Sequence, residues 1–325
     1  LRGTLSMRNF KMKRTFRLSL TLSRRSFVGA AVAGVGLLAL SPRLHASPTG
    51  EGPVHALAVE SDALLVARQT LLRSDDGGAS WASEPAPDGG RILALATHPD
   101  RPGRIIGGLA TGGVAVSEDG GGSWETRNEG LPDGAVIAIT VAAAQPDTLY
   151  SAILGDGLWR SEDAGGTWTF VMDRPWLAEA ERDPMALASV DLATGMGGIW
   201  IYAGTEAGVT RVPDCFCRWQ DVQPGDAIDA LVAGAKAAPD APLPAGEPIN
   251  ALVSAPSAPE TLYAALPSGV WASHDAGVVW FRMGAAPATA VAVHPTDAEH
   301  IVAALEGGLM QSRDGGATWS ALAAE

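Results

Sequence analysis

Along the chain, apolar residues come in short runs parted by Gly, Pro and polar turns. Ile92 to Pro99 and Ala288 to Pro295 each lead an apolar run into a His-Pro turn. A second run follows within each unit, as in Thr148 to Ile153, Thr261 to Leu266 and His300 to Leu305, and then a Gly turn and a third run. Runs this short, bounded by turn residues at regular spacing, predict units of four strands.

Each third run enters one box, Ser-x-Asp-x-Gly-x-x-Trp. It stands as Ser74, Asp76, Gly78, Trp81; as Ser117, Asp119, Gly121, Trp124; and as Ser161, Asp163, Gly165, Trp168. It returns as Ser273, Asp275, Gly277, Trp280 and as Ser312, Asp314, Gly316, Trp319. Gly208–Trp219 aligns without gaps on Gly157–Trp168 and is an eroded sixth copy, keeping Asp214 and Trp219 but losing Ser and Gly. Box starts at 74, 117, 161, 212, 273 and 312 are 43, 44, 51, 61 and 39 residues apart, the interval of a β-propeller blade. The expectation is an all-β chain forming a single propeller of four-stranded antiparallel blades, with six blades. A seventh would need a strand pair around residues 227–233. Within the box, Ser and Asp can bond the backbone of the turn between strands three and four, Gly supplies positive φ, and Trp caps the packing.

These boxes resemble the Asp-box, or bacterial neuraminidase repeat, shared by sialidases, xyloglucanase-type glycosidases, sortilin-type receptors and the photosystem II assembly factor. The resemblance covers about residues 54–325. It implies a propeller whose boxes are structural and lie away from the functional face, so their aspartates carry no chemistry.

The remaining N-terminal stretch has a different character. All nine basic residues up to position 46 precede the first acid, Glu51, and eight of them precede the apolar run Phe27–Leu40. A basic lead, a short apolar run and then small residues make an export signal. As a helix that run spans about 21 Å, short of the roughly 30 Å hydrocarbon core, so no retained membrane span is expected. Ser23-Arg24-Arg25-Ser26-Phe27-Val28 resembles the twin-arginine signal of bacterial exported proteins, with Leu44-His45-Ala46 as a cleavage site. An ordinary secretory signal with an incidental Arg pair is the alternative. The expected layout is a cleaved signal at 1–46, a linker at 47–53 and the propeller at 54–325, in the periplasm or secreted.

Beyond residue 46, fourteen basic residues remain against 36 acids, a formal charge of −22. That charge repels phosphate backbones and anionic lipid, which argues against nucleic-acid and peripheral-membrane roles, and it favours solubility, cations or basic partners.

If the boxes join strands three and four, the links from strand two to three and from blade to blade lie on the opposite face, around the channel mouth. The two long blade-to-blade insertions, 171–184 and 221–248, fall there, and long loops on a rigid scaffold are where function concentrates. Arg174, Trp176, Glu179 and Arg182 are the candidate binding residues, Trp176 as a sugar or protein contact. Asp156, Asp183, Glu206 and Glu306 are the candidate carboxylates for glycoside hydrolysis, which needs two acids about 5 to 10 Å apart. Convergence of two of them at the mouth would favour a carbohydrate-active hydrolase; scattered acids would favour a scaffold that binds an exported protein or a glycan.

A sialidase would also need three arginines gripping the substrate, a Tyr nucleophile and an Arg-Ile-Pro segment. Tyr150, Tyr202 and Tyr263 instead recur at one strand-two position, Arg73, Arg160 and Arg211 precede the box alike, and Arg91-Ile92-Leu93 lacks the Pro. Periodic residues read as packing. Xyloglucanase-type enzymes pair two large propellers across a cleft, and this length holds one. The scaffold is therefore the preferred reading.

Cys215 and Cys217 occupy the eroded box. In an oxidising setting they can form a disulfide across one residue in place of the lost staple, or bind a soft metal, although two thiolates are an incomplete set. His98 and His294 share the His-Pro turn, and His55 and His300 stand at strand starts. No cofactor motif occurs and no metal site is expected.

Overall fold

A computed structural model describes residues 52–322 except 62, 196 and 223–241. The export signal, the linker up to residue 51 and the region 227–233 lie outside the described residues.

Six four-stranded antiparallel sheets follow one another, each with its strands in sequence order. Their first and fourth strands are Ala56–Glu60 and Ala82–Glu84, Ile92–Ala96 and Glu125–Thr126, and Val136–Ala142 and Thr169–Asp173 in blades 1 to 3. In blades 4 to 6 they are Ala186–Val190 and Gln220–Asp221, Ala251–Ala255 and Phe281–Arg282, and Ala288–His294 and Ser320–Ala321. The described residues thus form a six-bladed propeller, and no seventh blade is present among them. First strands surround a central channel, whereas fourth strands form the exposed rim.

Two expected boundaries move. Residues 171–173 belong to the fourth strand of blade 3, so the insertion proper begins at Arg174. His300 sits inside the strand Asp297–Leu305 rather than at its start, because a tight turn after His294 lets the strand begin on polar residues.

The buried apolar residues divide into six clusters, one in each wedge between neighbouring blades. Side chains alternate across a strand, so each blade supplies both of its wedges. Leu149 and Ile153 face blade 2, whereas Tyr150 and Ala152 on the same strand face blade 4. Burial on both faces is why the strands read as unbroken apolar runs. All four strands of blade 6 come from one stretch of chain, so the ring closes on blade 1 by apolar packing and not by a shared strand. Val59, Leu72 and Trp81 meet Ala290, Val302 and Leu309 there.

The box turns carry one repeated bonding pattern. In blade 3 the Ser161 hydroxyl donates to Asp163 Oδ1 at 2.7 Å and accepts from the Gly165 N–H at 2.8 Å, while the Thr167 N–H and hydroxyl donate to the Asp163 carboxylate at 2.8 and 2.9 Å. Equivalent bonds recur around Ser74, Ser117 and Ser312. Blade 5 keeps the Ser273 bonds but has Val279 where the others carry a hydroxyl, so beyond the Ser273 hydroxyl Asp275 receives only the backbone N–H groups of Val278 and Val279. Gly165 sits at φ 93°, in the left-handed region where a side chain is strained.

The box Trp works between blades. Trp124, Trp168, Trp219 and Trp319 donate their indole N–H to Pro85, Arg127, Asp173 and Met283, carbonyls of the preceding blade, at 2.8 to 3.1 Å. Trp81 and Trp280 bond within their own turns, to Gly78 and Gly277.

In the eroded box, Cys215 and Cys217 are bonded, with Cα atoms 5.6 Å apart, and Phe216 between them has φ 53°. A cross-link closing so short a loop restricts the unfolded chain by only about 1.6 kcal/mol, against about 4.7 kcal/mol for a 100-residue loop.

Candidate functional site

Antiparallel order puts the box turns on one face of the ring. The two-to-three links and blade-to-blade links lie on the other. On that second face the link from blade 3 to blade 4 folds into a small hairpin, Trp176–Leu177 pairing with Ala180–Glu181. Ala178 and Glu179 form its turn with φ 48° and 60°, a type I′ geometry that favours Asn and Gly. Each such residue costs about 1 kcal/mol or more, so the surroundings must hold the turn in place.

Two arginines supply that hold. Arg182 donates from Nε to the Leu177 carbonyl at 3.1 Å and from a terminal nitrogen to the Ala178 carbonyl at 3.3 Å, and its other terminal nitrogen pairs with Glu206 on blade 4. Arg174 pairs with Glu181 and reaches Asp183 at 3.5 Å. Asp183 in turn accepts the Gly155 N–H of blade 3 at 2.8 Å. The hairpin is thereby tied to the two-to-three links of both neighbouring blades.

Its outer surface is apolar at the centre. Trp176 is 65% exposed, and Leu154 in the adjoining link of blade 3 is 54% exposed. Met185, two residues past Asp183, is 37% exposed. Five large apolar side chains are exposed among the described residues; these three lie on the hairpin link or on the blade 3 link bonded to it, whereas Phe170 and Phe281 lie on fourth strands. Glu179 is exposed at the hairpin tip. Leu154 and Met185 were not among the candidates from sequence; the only signal for Leu154 was an apolar residue at the head of the Gly155-Asp156-Gly157 turn.

The four candidate carboxylates do not gather at the channel. Asp156 accepts the Trp159 indole N–H at 2.6 Å, Asp183 serves the hairpin, and Glu206 holds Arg182. Glu306 lies on blade 6, across the ring, beside the junction with blade 1. None of the four lines the channel, a cavity of about 240 Å³ walled largely by Ala, Val, Leu and Ile of the first strands. His55, Met185 and Asn250 stand at its hairpin-side mouth, and Glu60, His98 and Asp191 at the other. Burial, with Arg91 nearby, holds the His55 imidazole below its ordinary pKa, which keeps it neutral at pH 7.

The strand-two tyrosines are buried in the wedges. The Tyr202 and Tyr263 hydroxyls donate to the carbonyls of Ala276 and Ala298 in the next blade at 2.9 and 2.8 Å. Desolvation pushes the phenols of Tyr150 and Tyr263 up to about 12. Arg211 is buried too, its guanidinium 4.1 Å over the Trp200 ring, and Arg73 bonds Asp75, Glu60 and the Gly120 carbonyl. Among the described residues no three His, Cys, Asp or Glu side chains stand close enough to share a metal ion.

No family model and no curated protein matches the chain. Solved structures do resemble it. The GH74 enzyme of Niastella koreensis superposes with a TM-score of 0.55 at 17% identity, over 83% of this chain and 45% of the enzyme. The GH74 xyloglucanase of Xanthomonas campestris gives 0.52 at 18%, over 81% and 45%. YCF48 from Cyanidioschyzon merolae gives 0.50 at 14%, over 79% of each chain. The chain therefore spans under half the length of the two GH74 proteins it matches. Identities this low speak to architecture alone, and what they share with this chain is the β-propeller fold.

Proposed function

We propose that this protein is an exported, non-catalytic propeller that binds another protein through the face opposite its boxes, with the hairpin at 174–183 as the contact. The observation that carries this reading is a hairpin braced by two arginines that holds Trp176 in solvent, on a link that also carries the exposed Met185 and is bonded through Asp183 to Gly155, the neighbour of the exposed Leu154. A large aromatic on a pre-ordered support loses little conformational entropy on binding, and such anchors dominate interfaces. The basic lead and apolar run at 1–46 support a location in the periplasm or outside the cell, and the Arg24-Arg25 pair supports delivery in the folded state by the twin-arginine route.

A glycoside hydrolase is the competing class. Three of its four candidate acids are occupied in holding the hairpin or Trp159, and the fourth is across the ring, which supports the scaffold.

The test is a pull-down from periplasmic extract of the source cells. It compares the mature protein with Trp176→Ala and with a variant whose residues 174–183 are replaced by a short Gly-Ser link. A specific protein retained by the wild type, and lost about tenfold or more in both variants, is the expected result. Retention or cleavage of labelled glycans with no captured protein overturns it.

A further inference from the structure

The eroded box of blade 4 carries a disulfide where the other boxes carry a hydroxyl staple. Val212 replaces the box Ser, Phe216 the Gly and Arg218 the hydroxyl residue, so no hydroxyl staple of the kind around Ser161 can form. Yet the turn is held without the sulfurs. The Phe216 N–H donates to the Pro213 carbonyl at 2.8 Å, the Asp214 N–H to Ile199 at 3.0 Å, and the Trp219 indole to Asp173 at 2.8 Å. The Phe216 ring packs on Tyr150 with centroids 5.7 Å apart, and the Arg160 guanidinium lies 6.0 Å from it. Both cysteines are exposed.

A disulfide that the fold does not need, closing a loop too short to add much stability, and open to solvent, is suited to exchange. We infer that Cys215–Cys217 is a thiol–disulfide exchange site, taking electrons from a dithiol-bearing partner. In the first step a partner thiolate attacks Cys215 Sγ, a mixed disulfide forms, and Cys217 leaves as the thiolate. Arg218 follows Cys217 while Asp214 precedes Cys215, so local charge favours Cys217 as the leaving sulfur. In the second step the partner's other thiolate attacks its own bridged sulfur and Cys215 leaves. Two electrons have then passed to the pair, and the partner has become a disulfide. The blade-to-blade bonds around the turn persist in both states, so the propeller stays folded.

Glutathione is the probe. The folded full-length mature protein is equilibrated in reduced and oxidised glutathione, quenched by alkylation, and weighed by mass spectrometry. The expected result is a ratio of reduced to oxidised protein that rises in proportion to the squared concentration of reduced glutathione divided by the concentration of oxidised glutathione, and reverses when oxidised glutathione is added, with unchanged near-ultraviolet circular dichroism. The wild type suffices for that measurement. Of the single-cysteine variants, Cys215→Ser should form its glutathione adduct several-fold faster than Cys217→Ser; the reverse order overturns the assignment of Cys217 as the leaving sulfur. A pair that stays oxidised until denaturant unfolds the chain overturns the exchange site, as do free thiols that form no adduct.

Discussion

Replacing Ser161 by Ala tests the box as a staple. The Ser161 side chain is buried, and its hydroxyl accepts the Gly165 N–H at 2.8 Å while donating to Asp163 at 2.7 Å. Alanine leaves the Gly165 N–H buried without that acceptor, which costs about 1 to 3 kcal/mol, and removes a net favourable bond of about 1 kcal/mol. The Asp163 carboxylate keeps its bonds from Thr167 and is exposed to water, so the lower part of the charged range applies to it. The sum is about 3 kcal/mol. Unfolding entropy of about 2.1 cal/mol/K per residue over roughly 270 residues converts this to a drop in Tm of about 5 °C. Scanning calorimetry and urea titration of wild type and Ser161→Ala measure it. Thr167→Val is the comparison, since it removes only an exposed bond and should cost about 0.5 to 1 kcal/mol. A Ser161→Ala change under about 0.5 kcal/mol, the size of an ordinary surface substitution, would refute the buried-donor reasoning.

Two further outcomes follow from the same turns. Val279→Thr restores the hydroxyl missing from the blade 5 box beside Asp275, and should raise stability by about 0.5 to 1 kcal/mol in the same urea titration. Hydrogen bonds from the hydroxyl and N–H of Ser80 draw the Asp76 carboxyl down to about 2, and those of Thr318 do the same for Asp314. An unfolded Asp titrates at about 3.9, so the ionised boxes stabilise the fold fully above that pH and lose their contribution as pH falls toward about 2. The Asp76→Asn, Asp314→Asn double variant should therefore lose less Tm than wild type between pH 5 and pH 2, and an equally steep acid limb would refute the assignment.

Much of this architecture is legible in the chain because its signals are local and repeated. The box at Ser74, Ser117, Ser161, Ser273 and Ser312 specifies a turn through contacts spanning eight residues, and the runs between boxes announce strands by length and turn chemistry alone. Repetition then implies a ring, since one unit cannot bury both of its faces by itself. Even the eroded copy could be placed by counting from Gly157 to Gly208.

The candidate site is a different matter. Trp176, Leu154 and Met185 belong to no shared motif, and the links that carry them are joined only because Arg174, Arg182 and Asp183 tie one link to two neighbouring blades. The acids Asp156 and Glu306 occupy equivalent links, yet ring geometry sets them on blades 3 and 6. Likewise the box Trp, which reads as a cap on its own blade, becomes a bond to the preceding one in blades 2, 3, 4 and 6. The chain alone determined the strands, the turns and the six-fold repetition, all set by interactions between near neighbours. Which loops meet, and which side chains remain in solvent once they do, was decided by closing the ring, where contacts join residues far apart along the chain.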